Sequence, residues 1–364
     1  MQNYGDLFKN FDFPILLSSP ANVYYVTDFY TEARRPGQIG IYTVLMTPQE
    51  SIFFYPAGWT APITSFFEGK AIRLIPYKGG SAALAEEIAK LLPECEQLGY
   101  ERNALELELY LELQQRLSPR LIWTDVVSVM EDNRRIKDAE EIRQLRASAS
   151  LAKETMEYAK TILSPGKTEK EIQAEMECYM RKRGSSGTPF TMKVLAGENA
   201  TRTINLAGFN EIHEGEIVLI DFGATLDNHA SDWTRSFCIG KPTDKQQELY
   251  DLVWKIERSC IEMLRPGVTY KELMDKAFEV IGDHPYAPYF NPYLGHNIGI
   301  VSVEQPTIVY GVDMTLQENM VITIEPGIYI PGIGGVRIED MILITADGHE
   351  ILTGLKEEGF CIKV

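Results

Sequence analysis

The sequence predicts two domains: an α/β unit over residues 1–130 and an α+β unit over residues 131–364 built by internal duplication. Three observations carry that prediction. Short β-branched runs alternate with helical periodicities up to about residue 130. The composition then turns charged at Asp132-Asn133-Arg134-Arg135-Ile136-Lys137, as a linker would. Beyond it, the phrase Pro165-Gly166-Lys167-Thr168-Glu169-Lys170-Glu171 returns as Pro266-Gly267-Val268-Thr269-Tyr270-Lys271-Glu272, 101 residues on. A chain of 364 residues is long enough for two cores.

In the first domain, Phe13-Pro14-Ile15-Leu16-Leu17, Ile41 to Met46, Ser51 to Tyr55 and Ala71 to Ile75 read as strands. Helical spacing covers Ala82 to Leu92 and Leu105 to Leu117, and no nucleotide-binding loop is present. Asn22 to Thr27 reads as a strand and Glu32-Ala33-Arg34-Arg35 as its loop, although both are polar-aromatic enough to face a partner site.

The second domain opens with a long helix. Ile142, Leu145, Ala149, Ala152, Met156, Ala159 and Leu163 recur every three or four residues and make one apolar stripe. Ser164-Pro165-Gly166 stops it, and Thr168 with Glu171 forms a capping box for a second helix that turns Ile172, Met176 and Tyr179 inward. The echo at Thr269 and Glu272 follows another long helix, about Asp244 to Leu264, and precedes a fourth. Strand pairs come after each helix pair, Ile217 to Ile239 and Val321 to Ile344, so the halves share one element order.

The chemistry concentrates where those strands meet acids. Ile217 to Ile220 is an apolar run ending at Asp221, and Ser231-Asp232-Trp233-Thr234-Arg235 follows a turn-prone Asp227-Asn228. A hairpin centred between Leu226 and Asp227 sets Asp221 opposite Asp232 on one face. Two carboxylates that close lose solvation and repel, so they call for a proton or a cation. In the second half, a hairpin centred on Gly332 sets Glu325 opposite Glu339. His296, flanked by Gly295 and lying between the halves, adds an imidazole. Four carboxylates and one imidazole form a mixed set suited to Mn²⁺, Fe²⁺, Co²⁺ or Zn²⁺. Two such ions would share a water, lower its pKa and polarise a carbonyl oxygen. Thr234 is placed to hydrogen-bond a ligand carboxylate, and Arg337 to balance the acids or anchor an anionic substrate group. His213, His229, His284 and His349 have no evident partners and read as surface residues.

Composition narrows the setting. Hydrophobic residues at 45% and charged residues at 24% are ordinary for a globular enzyme. A net charge of −17 argues against nucleic-acid and anionic-membrane partners and favours cation recruitment. Five scattered cysteines without a CxxC suit a reducing compartment. The N-terminus lacks a basic region followed by an apolar core, and no run reaches membrane-spanning length, so the cytoplasm is the expected location.

Taken together, Ile220-Asp221-Phe222-Gly223, Ser231 to Arg235, Gly295-His296, Ile324-Glu325-Pro326-Gly327 and Gly335-Val336-Arg337-Ile338-Glu339-Asp340 resemble the metal motifs of the creatinase/prolidase/methionine aminopeptidase superfamily, peptidase family M24. The nearest branch is the Xaa-Pro dipeptidase and aminopeptidase P group. The resemblance spans essentially the whole chain. It implies a creatinase-like N-terminal domain, a "pita-bread" C-terminal domain with pseudo-two-fold symmetry, two divalent ions, a homodimer, and cleavage of the bond preceding proline. It also implies Asp221, Asp232, His296, Glu325 and Glu339 as ligands, with Mn²⁺ first among the candidate metals and Glu325 also handling the proton of the attacking water.

Two positions depart from the pattern. The peptidases carry a histidine 17 residues before the first metal aspartate, here Ile204, and another seven residues after the histidine ligand, here Val303. Those side chains normally hold the substrate and stabilise charge on the attacked carbonyl, a role worth about 2.7–4 kcal/mol of barrier. A more apolar wall at Ile204 and Val303 is therefore expected, with slower turnover of prolyl peptides. Creatinase itself resembles the fold but uses a histidine at the place of Ile204, which argues against creatinase chemistry. The alternatives are a hydrolase or lyase of a small cyclic amide or amidino compound, and a binding protein that keeps its metal for structure.

Overall fold

A computed structural model of the chain describes residues 11–30, 42–354 and 359–363. The chain divides into two units, Met1–Arg134 and Arg135–Val364. In the first, six strands form one sheet in the order Arg73–Tyr77, Ser51–Pro56, Thr43–Met46, Ile15–Leu17, Gln97–Tyr100, Ile122–Asp125. The central strand Ile15–Leu17 is buried throughout, paired antiparallel on one side and parallel on the other. Helices Ser81–Leu91 and Leu107–Arg116 lay Leu84, Ile88, Leu109 and Leu113 against this sheet at helical spacing.

Several expectations for this region change. Asn22 to Thr27 is not a strand but the body of helix Pro20–Thr27. The Ser19 hydroxyl accepts from the Asn22 N–H at 3.1 Å, and Pro20 sits where no donor is needed, so the cap outweighs the β-branched Val23 and Val26. Gln97–Tyr100 and Ile122–Asp125 add two parallel strands whose four-residue runs carry little periodicity. The segment at Glu32 to Arg35 lies outside the described residues. The charged stretch read as a linker is helical as far as Arg135, within Val127–Arg135. Just beyond it, Lys137 is buried with its Nζ 3.0 Å from Glu304 Oε2.

The second unit is built twice from two helices and an antiparallel sheet. Helices Ala139–Ile162 and Glu169–Arg181 cover strands Lys193–Ala196, Ile217–Phe222 and Trp233–Ile239. Helices Asp244–Ile261 and Tyr270–Ile281 cover Gly295–Asn297, Val321–Ile324 and Asp340–Ile344. The whole stripe from Ile142 to Leu163 is buried. On Glu169–Arg181, however, Met180 is buried where Tyr179 was expected, and Tyr179 instead stacks on Tyr158 at 4.3 Å between ring centroids.

The duplication extends to single hydrogen bonds. Both capping boxes form, at Thr168/Glu171 and at Thr269/Glu272. Gly166 N donates to Ile212 O and Gly267 N to Leu316 O, each at 2.9 Å. Ile212 N donates to Lys167 O and Leu316 N to Val268 O, each at 2.8 Å. Ile212 and Leu316 lie 104 positions apart, and the same offset carries Asp221 onto Glu325. The symmetry thus lines up one acid from each half. Among the described residues, no helix is long and apolar enough to cross a membrane.

Candidate metal centre

The turn after Asp221 sets the first half of the site. Asp227 and Asn228 both take positive φ, 48° and 60°, as a two-residue type I′ hairpin requires. The ladder is therefore centred between Asp227 and Asn228, one residue later than expected. Thr234, not Asp232, stands opposite Asp221. Lys193 flanks Asp221 on the other side, and Thr234 bridges onward to Glu339. Lys193, Asp221, Thr234 and Glu339 thus form one row across neighbouring strands, and opposed residues share a face.

In the second half the pairing is centred on Gly332, as expected. Gly327 pairs with Arg337, and Ile324 with Asp340. Glu325 and Glu339 face each other at the break between those two ladders. Gly295 holds φ at 152°, and a Cβ there would lie 2.0 Å from the Thr323 carbonyl oxygen, so only glycine lets the chain deliver His296 here.

A cleft of about 300 Å³ is lined by Phe190, Thr191, Lys193, Asp221, Asp232, Tyr293, His296, Ser302, Val303 and Glu325. Asp232, His296 and Glu339 offer ligand atoms all within 4.8 Å of one another. The His296 Nε2 lies 3.4 Å from Asp232 Oδ2 and 3.2 Å from Glu325 Oε1. Its Nδ1 is 2.9 Å from the Asn297 carbonyl oxygen, which fixes a proton on Nδ1 and leaves Nε2 for a cation. Thr234 Oγ1 donates to Glu339 Oε2 at 2.6 Å, while Glu339 Oε1 is buried without a hydrogen-bond partner. A buried, unpaired carboxylate oxygen beside a second carboxylate and an imidazole fits a divalent cation.

Arg337 is fully engaged. Its Nε donates to Thr234 Oγ1 at 3.1 Å, its Nη1 to Tyr329 Oη at 2.8 Å, and its Nη2 to Asp221 Oδ2. It balances the acids and is not among the residues lining the cleft. Trp233, Arg235 and Asp340 buttress the same segment: Arg235 Nη1 donates to Glu339 O at 2.6 Å and its Nη2 to Asp340 Oδ1 at 2.8 Å.

The packing of buried acids around one imidazole shifts the proton affinities of Asp232, Glu339, His296 and Glu325. Burial, reinforced by Asp221 and Glu325 and only partly offset by His296, pushes Asp232 up to about 7. Burial and the neighbouring acids Asp232, Glu325 and Asp221 raise Glu339 well above the usual carboxylate range. Burial opposes protonation of His296, but its bonds to Asp232 and Glu325 outweigh that and raise it well above an ordinary histidine. Burial likewise works against ionisation of Glu325, yet His296 and Arg337 hold its carboxyl below the usual value.

The two departing positions separate here. Val303 lines the cleft, whereas Ile204 is 88% exposed and is not among the lining residues. His213 is exposed, but His229 is buried and bonds Asp227 O, so it is not a surface residue; the tight turn folds it inward. Lys193 and Tyr293 escaped the sequence reading. A lysine opening the otherwise apolar Lys193-Val194-Leu195-Ala196 was the available signal for the first.

Known proteins resemble this chain over most of its length. A profile described as "Metallopeptidase family M24" matches residues 143–346, and "Creatinase/Prolidase N-terminal domain" matches residues 14–136. An Xaa-Pro dipeptidase of Pyrococcus horikoshii is 36% identical over 273 residues, covering 75% of this chain and 77% of that protein. An uncharacterized peptidase of Staphylococcus epidermidis is 32% identical over 338 residues, 93% of each chain. Among solved structures, the prolidase from Pyrococcus horikoshii OT3 superposes with a TM-score of 0.88 at 31% identity, covering 98% of this chain and 97% of that one. The Xaa-Pro dipeptidase from Bacillus anthracis gives 0.90 at 28% identity and 99% of each chain.

Proposed function

Because this chain belongs to metallopeptidase family M24, we propose that it is a dinuclear Xaa-Pro dipeptidase or aminopeptidase P-like enzyme, a homodimer that cleaves the amide bond before proline. Asp221, Asp232, His296, Glu325 and Glu339 would hold two divalent ions, Mn²⁺ first among Co²⁺, Zn²⁺ and Fe²⁺. Such ions supply polarisation of the scissile carbonyl and acidify an attacking water. Glu325 has the properties of the base: it lines the cleft, and His296 and Arg337 favour its ionised form. Thr234 holds Glu339 by one oxygen and leaves the other for a cation. Arg337 fixes Asp221.

One observation carries this reading: in a chain of this family, ligand atoms of Asp232, His296 and Glu339 lie within 4.8 Å of one another, and Glu339 Oε1 is buried without a hydrogen-bond partner. The test is elemental analysis with turnover of an Xaa-Pro dipeptide panel under added Mn²⁺, Co²⁺ or Zn²⁺. The expected result is about two ions per chain, and a kcat lowered by at least ~10³ in Asp232→Ala. A chain that binds no divalent ion with all five side chains intact refutes it. Sedimentation velocity tests the dimer, and cell fractionation tests a cytoplasmic location.

A second reading draws on Val303. An apolar residue in the cleft wall favours a small cyclic amide or amidino compound over a peptide, and the same panel extended to those compounds discriminates the two.

A further inference from the structure

Val303 leaves its stretch of the cleft wall without a hydrogen-bond donor, and Ile204 is not among the lining residues. Tyr293 stands half-buried in the same cleft, beside Asp232, His296, Val303 and Glu325. Backbone bonds hold it in register with Glu325. Glu325 N donates to Leu294 O at 2.8 Å, and Asn291 N donates to Gly327 O at 3.0 Å. The chain on both sides of Tyr293 is therefore tied to the segment that carries the base. Pro292, immediately before it, restricts the backbone further.

The phenol is unspent. Its ring centroid lies 6.4 Å from that of His296, and its hydroxyl hydrogen-bonds no other described residue. Burial, then Glu325, Glu339 and Asp232, nevertheless push it well above its ordinary 10.0, with Arg337 as a partial offset. The hydroxyl thus faces three acids without bonding any of them, and it stays protonated through the neutral and alkaline range. A phenol is also a better donor than the alcohols of Thr191 and Ser302 in the same wall, being far more acidic. Lys193, the other cleft donor, is drawn to Asp221 Oδ2 at 3.6 Å.

We propose that Tyr293 is a further catalytic residue, whose O–H donates to the carbonyl oxygen of the scissile amide as that oxygen gains negative charge, in place of the histidine absent at Val303. The proposal rests on the Xaa-Pro hydrolase reading above. As the water oxygen bonds to the carbonyl carbon, the π pair moves onto the carbonyl oxygen and the water's proton passes to Glu325. Collapse restores the carbonyl, breaks the C–N bond and returns that proton to the proline nitrogen. Tyr293 keeps its own proton throughout. A donor that meets its charge only in the transition state raises kcat and leaves KM nearly alone.

The test sets full-length, Mn²⁺-loaded wild type against Tyr293→Phe, which keeps the ring, on an Xaa-Pro dipeptide. The kcat should fall by about 10²–10³ while KM moves by less than about threefold. Calorimetric binding gives a readout apart from turnover. A phosphinate analogue, whose anionic oxygens imitate the tetrahedral intermediate, should bind more weakly by a similar factor. A reduced-amide analogue, which lacks the carbonyl oxygen, should change by less than about threefold. Val303→His should raise kcat more in the Tyr293→Phe background than in wild type, because there it replaces a missing donor. A kcat within about threefold of wild type in Tyr293→Phe overturns the proposal. So does an equal loss of affinity for both analogues, which is the mark of packing alone, or an equal gain from Val303→His in both backgrounds. A wild type that turns over no Xaa-Pro dipeptide with Mn²⁺, Co²⁺ or Zn²⁺ instead refutes the hydrolase reading, and the two failures are thereby distinct.

Discussion

Stripped of metal, the catalytic unit should lose stability as pH rises, and divalent ions should restore most at the alkaline end. Asp232 moves from an ordinary 3.8 to about 7 in the folded chain. A carboxyl raised in this way binds its proton more tightly folded than unfolded. Its stabilising contribution is complete below about pH 3.8 and is lost as pH climbs through about 7. At roughly 1.4 kcal/mol for each tenfold, that loss is ~4 kcal/mol. Glu339 and His296, both raised, act in the same direction. Glu325, held below 4.5, acts oppositely, but only in more acidic solution. About 2.6 kcal/mol of that loss falls between pH 5 and pH 8, and about 2–4 °C accompanies each kcal/mol for a domain of this size, so Asp232 alone should lower the metal-free melting temperature by roughly 5–10 °C across that interval. Cations need the deprotonated ligands, so their stabilisation grows across that interval. Thermal unfolding followed by circular dichroism, with EDTA or with saturating Mn²⁺, measures both curves. A metal-free melting temperature that is flat or rises with pH, or an Mn²⁺ effect equal at every pH, refutes the account of protons standing in for cations.

Thr234→Val removes the hydroxyl that orients Glu339 and accepts from Arg337; metal affinity should fall about 10–100-fold with little change in secondary structure, as read by calorimetry and circular dichroism. Val303→His restores a donor to the cleft wall and should raise kcat/KM on an Xaa-Pro dipeptide by up to about 10²-fold. Ile204→His, at a position 88% exposed, should change it by less than about threefold in the same steady-state assay. Glu257 is fully buried, and burial followed by Asp340 raises its acid well above 4.5. Glu257→Gln mimics the neutral form, so its melting temperature should match wild type below about pH 4.5, where the acid is neutral both folded and unfolded, and exceed it increasingly as pH rises above that.

What could be read from the chain depended on whether a signal was local. Capping boxes at Thr168 and Thr269 depend on side chains three residues apart, and both form as read. Lys193 became visible only once its strand paired with that of Asp221, a partnership between positions 28 residues apart in sequence that no local pattern encodes. The exposure of Ile204 similarly depends on how the loop beyond the short helix Gly197–Thr201 leaves the sheet.

The misplaced hairpin centre shows why the acids nevertheless came together. Moving the turn from between Leu226 and Asp227 to between Asp227 and Asn228 shifts every cross-strand partner by two positions. Side chains alternate with a period of two, so a shift of two exchanges Asp232 for Thr234 opposite Asp221 but leaves both on the face where they began. A turn longer or shorter by a single residue would have shifted partners by one and sent Thr234 to the opposite face from Asp221, away from Glu339. The two positive φ angles at Asp227 and Asn228 therefore do more than close a loop. They set the parity on which the carboxylate row depends.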